Sequence, residues 1–368
     1  MQAGAPLTYD EYRSLKYFPA LDAMRAYGML MVVSAHMDDN IWGWVGADKG
    51  LTFFFVMSGF LITTLLLREE ELRGKISLSA FYIRRICRIF PLYYLVLSSY
   101  VVIIFGLKIR GVGKVASLKW ALPYYLSYTN EFTIGHHGHL PFAQSWSLGV
   151  EEKYYLLWPI MAFILLARYP RVRMWVTGGL AVLFLAIAAP AHWANWYGPI
   201  LTGCLLAFAL HNRAFYERLR VLATRRWNLP IALALLSLQI VTPWFNGFAV
   251  HVYSPLLALF LIGAMVGRLP YLNFLRWGAA TYVGKRTYGM YLVHKLCIDA
   301  VELVLKPRTG ILAESLAAYV VSFALSVAVA DVLHRLVEQP FIDLGRRWSA
   351  KRTAGVSRIE RMGAQAAP

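Results

Sequence analysis

Ten apolar stretches, each about long enough to cross a bilayer and each bounded by short polar or basic segments, constrain this chain more than any other feature. They fall near residues 21–37, 51–67, 91–107, 147–167, 174–190, 196–210, 229–243, 253–267, 287–305 and 311–334. Within lipid every backbone donor and acceptor must be satisfied inside the protein, and runs of this length do so as helices. The expected fold is an all-α polytopic membrane protein with about ten transmembrane helices. Composition agrees: 58% of residues are hydrophobic and only 15% charged, and the mean hydropathy is +0.50, outside the range of water-soluble domains. An aromatic content of 15% excludes disorder, and three scattered cysteines (Cys87, Cys204, Cys297) exclude a disulfide scaffold.

The net charge of +17 reports topology rather than nucleic-acid binding, because the basic residues sit in short clusters between apolar runs instead of lining one face. Residues 1–20 are polar and aromatic, without the apolar core and cleavage site of a secretory signal, so the amino terminus is expected in the cytoplasm. Ten spans then place 27 of the 37 Lys and Arg on the cytoplasmic side, 7 opposite and 3 within spans. Both termini become cytoplasmic, and residues 344–368 read as a loosely ordered basic tail. The segment 117–132 (SLKWALPYYLSYTNEF) is short and interrupted by Pro123. Counting it as a span would put the arginine-rich stretch 211–228 outside, so it reads as re-entrant or interfacial, bordering a cavity.

Ionisable residues within spans are costly and mark candidate function. In LDAMRAYGMLMVVSAH, Arg25 and His36 lie about 20° apart around a helix and about 16.5 Å apart along it, and Asp22 is within pairing reach of Arg25. Snorkelling to the interface is the plain alternative for Arg25, and a hydrogen-bonded core role for His36. In SWSLGVEEKYYLLWP, Glu151, Glu152 and Lys153 enter a span at the depth expected for His36, where one carboxylate can orient the imidazole for general-base work. A Glu–Lys interfacial pair is the other reading. The loop FYIRRICRIFPLYY carries Arg84, Arg85 and Arg88 before Pro91, which is expected to open a new helix. Arginine forks one turn apart can grip phosphates, though anchoring to anionic headgroups explains many such clusters. His294 and Lys295 lie inside the ninth stretch, and Asp331, His334 and Glu338 near the end of the tenth, where Pro340 is expected to stop the helix. His136, His137 and His139 in HHGH lack a cysteine or spaced carboxylate beside them, so no metal is expected.

LDAMRAYGMLMVVSAH, FFFVMSGFLI, RRICRIFPLYY, SWSLGVEEKYYLLWP, YGMYLVH and VEQPF, in this order, resemble the acyltransferase 3 family of integral membrane acyltransferases over residues 18–343. Ala23 stands where the family commonly has Gly, and Lys153 where it often has Gln, which leaves open which carboxylate partners His36. The resemblance implies a membrane domain over 21–343, in the form without a fused hydrolase-like domain, in a bacterial inner membrane. It also implies transfer of an acyl group, most often acetyl, from acyl-coenzyme A to a hydroxyl of an envelope glycan or glycosylated acceptor. By similarity Arg25 and His36 are the core pair, Glu151 or Glu152 assists, and Arg84, Arg85 and Arg88 match the donor-binding arginine motif. Asp22, Ser58, Trp146, Ser147, His294 and Glu338 are expected to support substrate or structure, with Ser145, Trp146, Ser147 or a backbone N–H of the re-entrant segment as candidates to stabilise the oxyanion. Ser58-Gly59 offers a small-residue site for a helix or the donor arm. A macrolide-like acceptor is an alternative substrate. A secondary transporter is the alternative class, but it predicts repeat symmetry and none is visible. Oligomeric state is not encoded in any legible feature.

Overall fold

The computed structural model describes residues 4–37, 39–42, 45, 47–106, 112–134, 140–187, 194–241, 248–308 and 310–365. Among them the regular secondary structure is helical, apart from one antiparallel bridge between Gly4 and Arg268. In order come α1 (Tyr9–Ser14), α2 (Pro19–Ser34), α3 (Asp39–Trp42), α4 (Ala47–Arg73), α5 (Leu78–Val101), α6 (Val112–Leu126), α7 (Trp146–Ile160) and α8 (Pro170–Ala186). They are followed by α9 (Ala194–His211), α10 (Arg213–Leu219), α11 (Arg225–Val241), α12 (Phe248–Val266), α13 (Gly278–Gly284), α14 (Thr287–Leu305), α15 (Leu312–Leu333) and α16 (Gln339–Gln365). Three helical stretches among the described residues are long and apolar enough to cross a membrane: Lys49–Arg73, Leu78–Gly106 and Leu312–Arg352. Trp196–His211 and Val252–Val266 are shorter apolar helices. An all-α membrane protein accounts for this pattern.

The chain divides into two compact units. The first comprises the residues up to Arg68 together with Leu166–Val327. Here α2 packs on α13 and α14, α8 on α9, and α12 on both α9 and α11. Close approach depends on glycine where backbones touch. A Cβ on Gly59 of α4 would lie 2.0 Å from the Ile200 carbonyl oxygen of α9, and one on Gly203 would lie 2.0 Å from that of Val56. Gly59 therefore serves a helix crossing. The amino-terminal segment is tied down by Leu7 N–H to Val266 O (3.0 Å) and Tyr216 Oη to Leu7 O (2.8 Å). A reciprocal Thr8–Glu11 capping box opens α1, and the Thr8 backbone N–H holds the Glu11 carboxyl below its usual range.

The second unit comprises Glu69–Leu165 and the chain from Ala328 on. Its principal packing is α16 against α5, with Gly345 pressed on the Cys87 side chain. Three sequence expectations change here. Pro91 lies inside α5 instead of opening a helix, so Arg84, Arg85 and Arg88 are helical rather than on a loop. Pro340 does not stop the last helix either. A π-turn over His334–Glu338, closed by Gln339 N–H to His334 O, shifts the ladder just before the proline, which then occupies the first turn of α16, where a missing N–H is harmless. Residues 344–365 consequently continue as helix, where the sequence suggested a loose tail. The segment 117–132 contains most of α6, a left-handed Tyr128 (φ 54°) and the start of a 3₁₀ turn, Asn130–Thr133. Asn130, Glu131 and Thr133 are buried, so protein groups enclose this irregular backbone.

Candidate active-site residues

In the first unit, Pro19 opens α2 and places Asp22 in its first turn. Asp22 is buried, accepting from Arg25 Nη1 at 3.0 Å and from Tyr17 Oη at 2.6 Å. Gly284 of α13 lies directly against the Asp22 carbonyl, where a Cβ would come within 1.9 Å. Arg25, with a side chain only 20% exposed, is thus an internal ion-pair partner.

His36 lies just beyond the last α-helical residue, Ser34. Its N–H bonds Val33 O and that of Met37 bonds Ser34 O, both i→i+3 contacts, so the end of α2 tightens. At about 120° per residue over the last two steps, the offset between Arg25 and His36 grows from about 20° to about 60°. The shared face survives as a broad stripe. Opposite His36 stands His294 of α14, its ring nearly parallel at 19° with centroids 5.0 Å apart. His294 is fully buried. Its Nδ1 lies 2.8 Å from Tyr291 O, and since a carbonyl only accepts, Nδ1 carries the proton and Nε2 the lone pair. That Nε2 is buried without a hydrogen-bond partner among the described residues. Elsewhere on α2, the Leu30 carbonyl accepts from Tyr319 Oη at 3.1 Å, and the Tyr319 ring stacks on Trp42, 4.6 Å away.

In the second unit the arginines part company. Arg84 is engaged with Glu69 at 3.0 Å, and the same carboxylate accepts the Ser77 N–H, so Arg84 fastens the turn between α4 and α5. Arg85 lies over the rings of Phe81 (5.6 Å) and Tyr155 of α7 (5.7 Å), and its Nε has no acceptor among the described residues. Arg88 Nη2 is 4.0 Å from Glu338 Oε1, beyond hydrogen-bond reach, while the other Glu338 oxygen is 2.9 Å from His334 Nδ1. Arg85 and Arg88 therefore keep donor capacity that an anionic group such as a phosphate fits. Tyr155 also donates to Glu151, one turn earlier on the same helix, at 3.3 Å. Glu152 is half-buried on the same helix.

Lys153 does not serve its neighbouring glutamates alone. It forms an ion pair with Glu131 and donates to Tyr128 O (3.1 Å) and Gly149 O (3.4 Å). Gly149 is glycine for a steric reason, since a Cβ there would lie 2.2 Å from Glu131 Oε2. Ser145 drops out as an oxyanion donor: its hydroxyl gives its proton to Phe142 O (2.6 Å) and accepts from Asn130 Nδ2 (2.7 Å). Ser147 is buried and Trp146 half-buried at the start of α7. Glu131, Asn130, Tyr155 and Glu69 escaped sequence reasoning; the one available signal was a carboxylate, Glu131, in an otherwise aromatic segment. No cluster of three metal-ligating side chains occurs among the described residues, and His136, His137 and His139 lie outside them.

A family profile described as an acyltransferase domain matches residues 18–335. The peptidoglycan O-acetyltransferase OatA of Listeria monocytogenes is 25% identical over 366 residues, covering 89% of this chain and 56% of its own. A putative O-acetyltransferase of Staphylococcus aureus strain COL is 25% identical over 367 residues, covering 90% and 58%. A putative peptidoglycan O-acetyltransferase of Bacillus subtilis, YrhL, is 28% identical over 324 residues, covering 78% and 49%. The chain thus spans about half the length of these relatives. No solved structure matches it.

Proposed function

Since this chain belongs to the acyltransferase 3 family, we propose that it is a multi-pass O-acyltransferase of a bacterial inner membrane, with both termini cytoplasmic. It moves an acyl group, acetyl in the first instance, from acyl-coenzyme A to a hydroxyl of a cell-envelope glycan such as peptidoglycan. What supports this most is that one matched stretch, residues 18–335, takes in His36 with its stacked partner, the Arg85–Arg88 turn and the carboxylates at 151 and 152.

In this reading Arg85 and Arg88 hold the phosphates of the donor, with Glu338 behind Arg88. Neutral His36 takes the proton of the acceptor hydroxyl as that oxygen bonds to the thioester carbonyl carbon. The tetrahedral intermediate collapses, the C–S bond breaks, and the imidazolium returns the proton to the departing thiolate. Ester and free thiol result, without a covalent enzyme intermediate. Arg25, fixed by Asp22, adds a positive charge on the His36 helix. Glu151→Gln and Glu152→Gln, made separately, are expected to lower turnover to different extents.

The test is equilibrium binding of radiolabelled acetyl-coenzyme A to purified protein in detergent, followed by transfer of label to isolated peptidoglycan. Wild type binds and transfers, whereas Arg85→Ala with Arg88→Ala binds markedly less. A folded wild type that binds neither acetyl- nor longer acyl-coenzyme A overturns the donor assignment.

A further inference from the structure

His294 is a buried histidine for which packing alone gives no account. An apolar residue would fill its place without leaving an acceptor unsatisfied, and buried polar atoms are normally paired. What its ring does offer is a flat face. The Nδ1–H bond to Tyr291 O, one turn earlier on α14, fixes the plane and tautomer of that ring. The ring of His36 lies against this face, 5.0 Å away and 19° from parallel. A proton on His294 Nε2 would find no acceptor there, so the ring presents itself neutral.

We infer that His294 is a positioning residue for His36, a locked neutral imidazole whose face orients the His36 ring and stabilises the positive charge it gains on taking a proton. This rests on His36 acting as the base in the reaction proposed above. A cation about 5 Å from the centre of an aromatic face is within the range of cation–π attraction, which is stronger where water is excluded. The attraction exists only once His36 is protonated, so it favours the transition state over the ground state and acts on kcat rather than on donor binding. His294 does not touch the reacting atoms; it acts through His36.

The experiment compares wild type, His294→Leu and His294→Phe, each purified in detergent and matched for melting midpoint, in steady-state acetyl transfer with acetyl-coenzyme A varied. Leucine keeps bulk but removes the face, so kcat falls by about tenfold while KM for acetyl-coenzyme A stays within about twofold. Phenylalanine restores a face but not the Nδ1–H lock, so its kcat falls between those of leucine and wild type. The inference is overturned if the leucine variant turns over like wild type, if phenylalanine rescues nothing, or if the loss appears in KM. A wild type that transfers no acetyl group defeats the underlying function instead, which separates the two failures.

Discussion

Glu131 and Lys153 form a buried ion pair whose removal can be taken apart one charge at a time. Glu131 has a side chain 5% exposed and Lys153 one 29% exposed. Removing one partner of such a pair costs about 3–5 kcal/mol, because the survivor keeps its desolvation penalty without the attraction that offset it. In Glu131→Gln the ammonium still has Tyr128 O and Gly149 O, at 3.1 and 3.4 Å, so the loss sits near the bottom of that range, at about 3 kcal/mol. Lys153→Gln is worse, at about 4 kcal/mol, because the carboxylate is the more buried partner and its Oε2 is already unsatisfied. Either loss is a large part of the 5–15 kcal/mol by which proteins are typically stable. The double replacement leaves two neutral amides able to bond each other and costs only about 1 kcal/mol. Melting midpoints in detergent, followed by fluorescence-detected gel filtration, should rank wild type, double variant, Glu131→Gln and Lys153→Gln in falling order. A double variant as damaged as both singles combined would refute the pairing.

Three further outcomes follow from local geometry. Gly59→Ala puts a Cβ against the backbone of Ile200 and Cys204, so the two helices must separate; a loss of at least about 2 kcal/mol is expected in the same melting assay. Ser145→Ala should cost about 1–2 kcal/mol of stability yet leave turnover per folded molecule unchanged, and a fall of about a hundredfold or more would restore Ser145 as an oxyanion donor. Asp22→Asn strips Arg25 of its carboxylate and is expected to lower stability by about 3 kcal/mol, much of which Asp22→Asn with Arg25→Gln recovers.

Local relations proved legible in the sequence and long-range ones did not. Asp22 with Arg25 and the Arg85–Arg88 turn could be read because residues three apart on a helix are neighbours whatever surrounds them. Gly59 was legible as a packing residue, though only the fold names Ile200 as what it meets. The stacking of His36 on His294 joins α2 to α14, and no periodicity reports which helices pack together. The proline rules failed at Pro91 and Pro340 because each describes an isolated helix. In the chain, packing of α16 on α5 and the π-turn at His334–Glu338 carry the helices through. Hydropathy outlined ten stretches, whereas length and apolar character together single out three helices among the described residues, since several of the others are shorter or broken. The Glu131–Lys153 pair was hidden for a further reason: Glu131 lies in the segment whose fold was hardest to anticipate.

The central claim, that His36 is the base of an acetyl transfer, is tested most directly by single-turnover chemistry. Wild type and His36→Ala, purified in detergent and matched for melting midpoint and for acetyl-coenzyme A binding, are mixed with labelled acetyl-coenzyme A and peptidoglycan, and the ester formed is counted over time. The account predicts labelled ester from wild type and a rate at least about a hundredfold lower from His36→Ala, with donor binding retained. An equal rate in the two proteins would contradict it.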